Sequence, residues 1–249
     1  MIHSFLLIGQ SNMAGRGLIR EAREIDASHI YTLRNGRWQR MFRPIHSDRR
    51  TSGVCLAESF AEAYAKRHQV DVGLICCADG GTKLSQWQKG ELLYENAVAQ
   101  ARLAQRTSTI VGVLWHQGES DCPPELSATY KARFEKMMSS LREDLGLAKT
   151  PFIIGELGDF LPDCVKFGDY LKYYPRMNEQ LRAIAADNAY VGCVSAKGLT
   201  SIGDFLHFNS ESLYEFGLRY FEEFEKFVGE NQAFEEKEDG TIQSAMEAL

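Results

Sequence analysis

Apolar residues fall in five short runs along the chain, each ending in a glycine or a polar cluster. They are Phe5 to Ile8, Val72 to Cys77, Thr109 to Trp115, Phe152 to Ile154 and Tyr190 to Val194. Runs of this length, bounded by turn signals, read as buried strands. Between them the apolar spacing turns helical. Leu56, Phe60, Ala63 and Tyr64 share one face of a helix over 54–67. Further helices are predicted over 92–105, from Pro123-Pro124 to about Leu145, over 175–187, and from a Ser210 cap to about Phe227. Tyr31 to Leu33 and Trp38 to Met41 flank Asn35-Gly36 and can pair as a small hairpin. That hairpin sits in an Arg-rich stretch, which reads either as an insertion lining a cleft above the sheet or as a solvated connection.

Strands alternating with helices predict a five-stranded parallel sheet covered on both faces, an α/β class fold. Right-handed crossovers carry every strand's C-terminal end to one edge, where open α/β sheets bind their ligands. Ser11, Gly80-Gly81, Gln117, Glu119 and Glu156 each follow a strand, as does the loop with Asp204 and His207. These residues are therefore expected to converge.

Composition narrows the possible partners. The 249 residues carry a net charge of −6, which gives no basic face for nucleic acid. No apolar run approaches the length of a membrane span, so no membrane partner is expected. The first strand starts almost at the N-terminus with no signal-like segment, which points to the cytoplasm, or to a secreted or periplasmic protein whose leader has been removed. Six cysteines are scattered without a Cys-x-x-Cys pair or zinc spacing and read as buried free thiols. The six histidines show no His-Glu-x-x-His pattern, so no metal and no cofactor are expected. A flavodoxin-like nucleotide binder would need a phosphate-cradling glycine loop after the first strand, and Gly9 to Gly15 is not one.

A serine after a strand is usually a turn or cap residue. Ser11 gains a second reading from Asp204 and His207. Asp-x-x-His in one loop lets the carboxylate hold Nδ1 of the imidazole while Nε2 faces a hydroxyl. Three junctions offer oxyanion donors: the backbone N–H of Ser11, the turn at Gly80 or Gly81, and the side-chain amide of Gln117. Asn12 and Glu119 are expected to support them.

Gly9-Gln-Ser-Asn-Met-Ala-Gly15, Gly80-Gly-Thr82, His116-Gln-Gly-Glu-Ser-Asp121 and Asp204-Phe-Leu-His207 occur in this order. The set resembles the sialate O-acetylesterase and acetylxylan esterase branch of the SGNH hydrolase superfamily, carbohydrate esterase family 6. The resemblance spans Phe5 to about Phe208, and it implies a flavodoxin-like three-layer α/β/α sandwich. It implies Ser11 as nucleophile, His207 as base, Asp204 as its partner, and oxyanion donors at Ser11, the Gly80-Gly81 turn and Gln117. The implied partner is an acetylated carbohydrate; neither the sugar nor the oligomeric state follows. A non-catalytic carbohydrate-binding protein of the same fold is the alternative. For sugar contacts, Trp38, Trp87, Arg16, Arg43 and Arg49 are candidates, with Arg16, just past the nucleophile turn, preferred. One domain is expected over 1–228, followed by a polar, mobile tail over 229–249.

Overall fold

A computed structural model describes residues 1–228; the expected polar tail, 229–249, lies outside the described residues. The strands are β1 (Ile2–Gly9), β2 (Ile30–Arg34), β3 (Arg37–Arg40), β4 (Asp71–Cys76), β5 (Thr109–His116), β6 (Phe152–Gly155) and β7 (Val191–Val194). The α-helices are α1 (Ser11–Ala14), α2 (Leu56–His68), α3 (Leu92–Ala104), α4 (Pro124–Ser127), α5 (Tyr130–Leu145), α6 (Gly168–Leu171), α7 (Tyr174–Asp187) and α8 (Ser210–Glu225). The sheet order is β3-β2-β4-β1-β5-β6-β7, parallel throughout except for β3 at the edge.

Period-two alternation in β1 explains the three layers. Leu6 and Ile8 point into a core formed with α3, α5 and α7, through Val98, Phe134 and Leu181. Phe5 and Leu7 point into the opposite core with α2 and α8, through Phe60 and Phe216. A strand buried on both faces must be apolar at nearly every position, which is why β1 reads as a continuous run. Gly112 in β5 leaves room for two rings: an added Cβ there would lie 2.8 Å from both Phe5 and Phe224.

Among the described residues seven strands form the sheet instead of the five expected. The Asn35-Gly36 hairpin does form, but it extends the sheet and does not rise over the cleft. Ile30, Tyr31 and Thr32 pair in parallel with Val72, Gly73 and Leu74. Gly73 makes this possible, because a Cβ there would meet the Trp38 indole at 2.6 Å. Trp38 thus packs on the sheet and donates to Thr107 Oγ1 at 3.0 Å, which removes it from the sugar-contact candidates. Two helix boundaries also differ. The helix expected from Pro123 breaks between α4 and α5. Asn209, not Ser210, caps α8 by accepting from Ser212 N, while Ser210 Oγ donates to Leu18 O.

All six cysteines are free thiols; Cys55, Cys77, Cys122 and Cys164 are buried, whereas Cys76 and Cys193 are only partly covered. Among the described residues no helix is long and apolar enough to cross a membrane.

The crossovers change face at β1. The connection from β1 to β4 carries α2 on one face, and the connection from β4 to β5 carries α3 on the other. The C-terminal end of β1 is therefore the topological switch point, where a crevice opens between diverging connections. Gly9 ends β1 with φ 128°, and a Cβ there would lie 2.2 Å from His116 O. A side chain at this position meets both backbone strain and a direct clash. Gly9→Ala is expected to cost at least about 2 kcal/mol of stability, measured by denaturant unfolding.

Candidate active site

Ser11 opens α1 directly beyond the switch point. Gln10 N donates to His116 O at 2.8 Å, and Asp79 N donates to Gly9 O at 3.0 Å, so the turn is tied to β5 and to the β4 end. Gly15 closes the same turn with φ 92°; a Cβ there would lie 2.4 Å from Val54 O. The two glycines that bracket Ser11 are both required by close backbone approach. The backbone N–H of Ser11 makes no hydrogen bond among the described residues.

His207 reaches Ser11 across 196 positions of sequence. Its Nε2 lies 3.1 Å from Ser11 Oγ, and its Nδ1 lies 2.6 Å from Asp204 Oδ2. An ionised carboxylate can only accept, so Nδ1 carries the ring proton and Nε2 accepts from the serine hydroxyl. Asp204 Oδ1 accepts from the backbone N–H groups of Leu206 and His207, each at 2.9 Å. Burial acts to raise the Asp204 carboxyl, but the hydrogen bonds from His207 and Leu206 outweigh it and hold the group at about 2. Asp204 is thus ionised wherever the protein is folded near neutral pH. Between Asp204 and Leu206, Phe205 has φ 54° and an exposed ring. Such a backbone is rare for a bulky residue and marks a loop held by its surroundings.

Asn12 is what holds that loop to the serine turn. Its Nδ2 donates to Leu206 O at 3.1 Å and to Glu119 Oε1 at 2.6 Å, and its Oδ1 accepts from Phe208 N at 3.2 Å. Glu119 is buried beneath it, and its Oε2 has no partner among the described residues. Neighbouring His116 donates Nε2–H to Glu156 O at 3.1 Å, leaving Nδ1 3.8 Å from Glu119 Oε1. That separation is too long for a hydrogen bond, and burial depresses the His116 pKa, so the ring is neutral and not an ion-pair partner. Glu156 is drawn away to Arg182.

The remaining expected oxyanion donors are placed differently. Gln117 is fully buried, and its amide points into the protein. Its Nε2 donates to Thr82 O at 3.1 Å and to Asp121 Oδ2 at 2.7 Å, while its Oε1 accepts from the Tyr130 hydroxyl at 2.8 Å. Both amide protons are committed, so Gln117 is not an oxyanion donor in this geometry but a brace under the Gly80-Gly81-Thr82 turn. Trp87 braces the same turn from the core, donating to Thr82 Oγ1 at 3.1 Å while only 1% exposed, and is not a sugar platform. Gly80 also changes role, because its N–H is taken by Asp48 Oδ2 at 2.9 Å. Gly81, with φ 78°, has an N–H without a partner among the described residues. A Cβ on Gly80 would lie 3.5 Å from Ser11 Cβ, so this turn is adjacent to the serine.

Beside His207 lies a cleft of about 440 Å³, lined by Arg16, Leu18, Ile19, Ser52, Ile202 and His207 among others. Arg16 does reach the cleft, but its guanidinium is buried and bound to Asp48, with Nη2 to Oδ2 at 2.6 Å. Arg43 is withdrawn onto buried Glu58 at 2.6 Å, and Arg49 onto Asp79 at 2.8 Å. Among the described residues no group of three or more His, Cys, Asp or Glu is placed to hold a metal ion.

A profile described as "carbohydrate esterase, sialic acid-specific acetylesterase", the SASA family, matches residues 1–226. The chain belongs to the SASA family of carbohydrate esterases. A probable carbohydrate esterase of Arabidopsis thaliana is 31% identical over 237 residues, covering 86% of each chain. The X-ray structure of an Arabidopsis protein superposes with a TM-score of 0.79 at 30% identity, over 90% of this chain and 98% of that one. NanS has the same fold, with a TM-score of 0.71 at 16% identity over 91% of this chain and 97% of its own. So does a carbohydrate acetylesterase from Xanthomonas citri, with a TM-score of 0.66 at 15% identity over 90% of this chain and 57% of its own. The SGNH-type fold implied by the sequence motifs is thus the fold of this esterase.

Two residues with no assigned role in the sequence motifs organise the SASA-family site. Asp121 is wholly buried and accepts from Leu84 N and Gln117 Nε2. It stands in the His116 to Asp121 block, so its position was visible although its role was not. Asp48 lies in the Arg-rich connection and carries no local signal.

Two outcomes follow from these contacts. Gln117→Ala leaves Tyr130, Thr82 and Asp121 each short of a buried partner. It is expected to lower unfolding stability by roughly 1–3 kcal/mol, read by denaturant titration. For Asp204, the folded carboxyl is held below its ordinary 3.8, so its ionised form stabilises the native state above that pH. The contribution is lost as pH falls from 3.8 through about 2. Asp204→Asn should therefore lose less melting temperature over that interval than the wild type.

Proposed function

We propose that this SASA-family protein is a serine O-acetylesterase acting on acetylated carbohydrates. The observation that carries the reading is the single hydrogen-bonded line from Ser11 Oγ to His207 Nε2, and from His207 Nδ1 to Asp204 Oδ2, at 3.1 and 2.6 Å. Both distances lie within the range for proton transfer and for orienting a base. The family match and the Arabidopsis relative named as a probable carbohydrate esterase support the class of reaction.

In the proposed sequence Ser11 Oγ attacks the acetyl carbonyl carbon while His207 Nε2 takes the hydroxyl proton. The carbonyl π electrons move onto oxygen. The Ser11 N–H and the Gly81 N–H, neither of which has a partner among the described residues, are the proposed donors to that oxyanion. Collapse of the tetrahedral species expels the sugar oxygen, which takes the proton from His207. Water then attacks the acetyl-serine, with His207 again as base, and releases acetate. Asp204 stays ionised, fixes the tautomer and stabilises the imidazolium. The cleft beside His207 is the proposed seat of the departing sugar.

Ser11→Ala should reduce acetate release by at least about 10³-fold with the melting temperature retained. Wild-type turnover by that variant would overturn the assignment.

A further inference from the structure

Among the described residues the lining of the cleft beside His207 holds one Arg or Lys, Arg16, and its charge is already neutralised. Arg16 Nη2 and Nη1 meet Asp48 Oδ2 and Oδ1 at 2.6 and 3.3 Å, with both side chains at most 5% exposed. Asp48 is further held by Ser52 Oγ at 2.7 Å and by Gly80 N at 2.9 Å. Burial acts to raise the Asp48 carboxyl, but Arg16, Ser52 and Gly80 together keep it below its ordinary value, so Asp48 meets the guanidinium as a carboxylate. The pair lies against the reacting atoms: a Cβ on Gly80 would be 2.4 Å from Arg16 Nη2, 3.0 Å from Asp48 Oδ2 and 3.5 Å from Ser11 Cβ.

A bidentate carboxylate uses the same fork of donors that a substrate carboxylate would need. With that fork filled, the other charge lining the cleft is Asp204, which is negative. Besides the His207 imidazole, the remaining side chains of the lining are apolar or hydroxylic, from Leu18, Ile19, Ile202, Thr51 and Ser52. Nearby cations do not restore the balance. Arg49 is paired with Asp79, exposed Arg20 with Glu21, and exposed Arg50 lies outside the lining. An anionic sugar entering here would be desolvated beside the Asp204 carboxylate, and among the described residues no unpaired Arg or Lys lines the cleft to meet it.

We propose that Asp48 is a specificity-determining residue, which occupies Arg16 so that the cleft favours acetyl esters of uncharged sugars over those of sugar acids. This rests on the esterase reading above and sharpens its substrate class. Asp48→Asn keeps an oxygen for Gly80 N–H but removes the charge that ties up Arg16, so discrimination against an anionic ester should relax.

The test is initial-rate acetate release from O-acetylated xylobiose and from O-acetylated N-acetylneuraminic acid, by wild type and by Asp48→Asn, with p-nitrophenyl acetate as a third ester. In the wild type, kcat/KM for the neutral sugar should exceed that for the sugar acid by at least about tenfold, the scale of one uncompensated charge. In Asp48→Asn that ratio should shrink at least about threefold, mainly through a lower KM for the anionic ester. The ratio is independent of any overall loss of turnover in the variant. Wild-type preference for the sugar acid, or a ratio unchanged by Asp48→Asn, overturns the proposal while leaving the esterase reading in place if p-nitrophenyl acetate is cleaved. No cleavage of any of the three esters overturns the esterase reading, and this proposal with it. Should Asp48→Asn fail to fold, the wild-type ratio is measured against salt. Screening should favour the anionic ester relative to the neutral one, and the opposite trend or none overturns the proposal.

Discussion

At the end of the central strand three backbones meet with no room for a side chain. Gly9 lies against the carbonyl of His116, Gln10 donates to that carbonyl, and Asp79 donates back to Gly9 O. The ends of β4, β1 and β5 are thereby locked together at the point where the crossovers change face. Ser11 is the second residue beyond this junction, so its hydroxyl inherits the rigidity of the sheet. A hydroxyl on a free loop would have to be ordered at each encounter; here the ordering is supplied by folding.

The histidine has no such anchorage of its own. It stands on a connection between β7 and α8, and its position depends on Asn12 reaching that connection at Leu206 and Phe208. Asn12 is in turn oriented by Glu119, a carboxylate buried with one oxygen unpartnered among the described residues. Leaving a buried oxygen without a partner is destabilising. Its place beneath Asn12 trades local stability for the position of the histidine loop. The buried amide of Gln117, with Asp121 and Tyr130, does the equivalent work for the Gly80-Gly81 turn. The serine, the histidine loop and the glycine turn thus each rest on a polar tie that crosses between elements.

Much of this was legible in the residue order. Apolar runs located the core strands because a strand covered on both faces must be apolar at nearly every position. Gly9 and Gly15 marked a turn around Ser11, and the Asp-x-x-His spacing signalled a self-contained carboxylate–imidazole unit whose hydrogen bonds span three residues. These features are local, so their physics is written into neighbouring positions. Convergence of Ser11 with His207 followed from topology alone, since parallel strands present their C-terminal ends to one edge.

What the tertiary structure decided is where each polar group finds its partner. Gln117 follows a strand just as Ser11 does, yet its amide turns inward because Asp121, Thr82 and Tyr130 satisfy it there. The hairpin joins the sheet because Gly73, about forty residues later, leaves space for Trp38. Asp48 carries no local signal in its Arg-rich connection, and only the fold brings it to Arg16 and Gly80. The chain's own order determined the strands, the turn glycines and the catalytic candidates, because backbone conformation and burial act through adjacent residues. Partner choice among polar side chains required the fold, because a hydrogen bond is decided by ångströms between residues that the sequence keeps far apart.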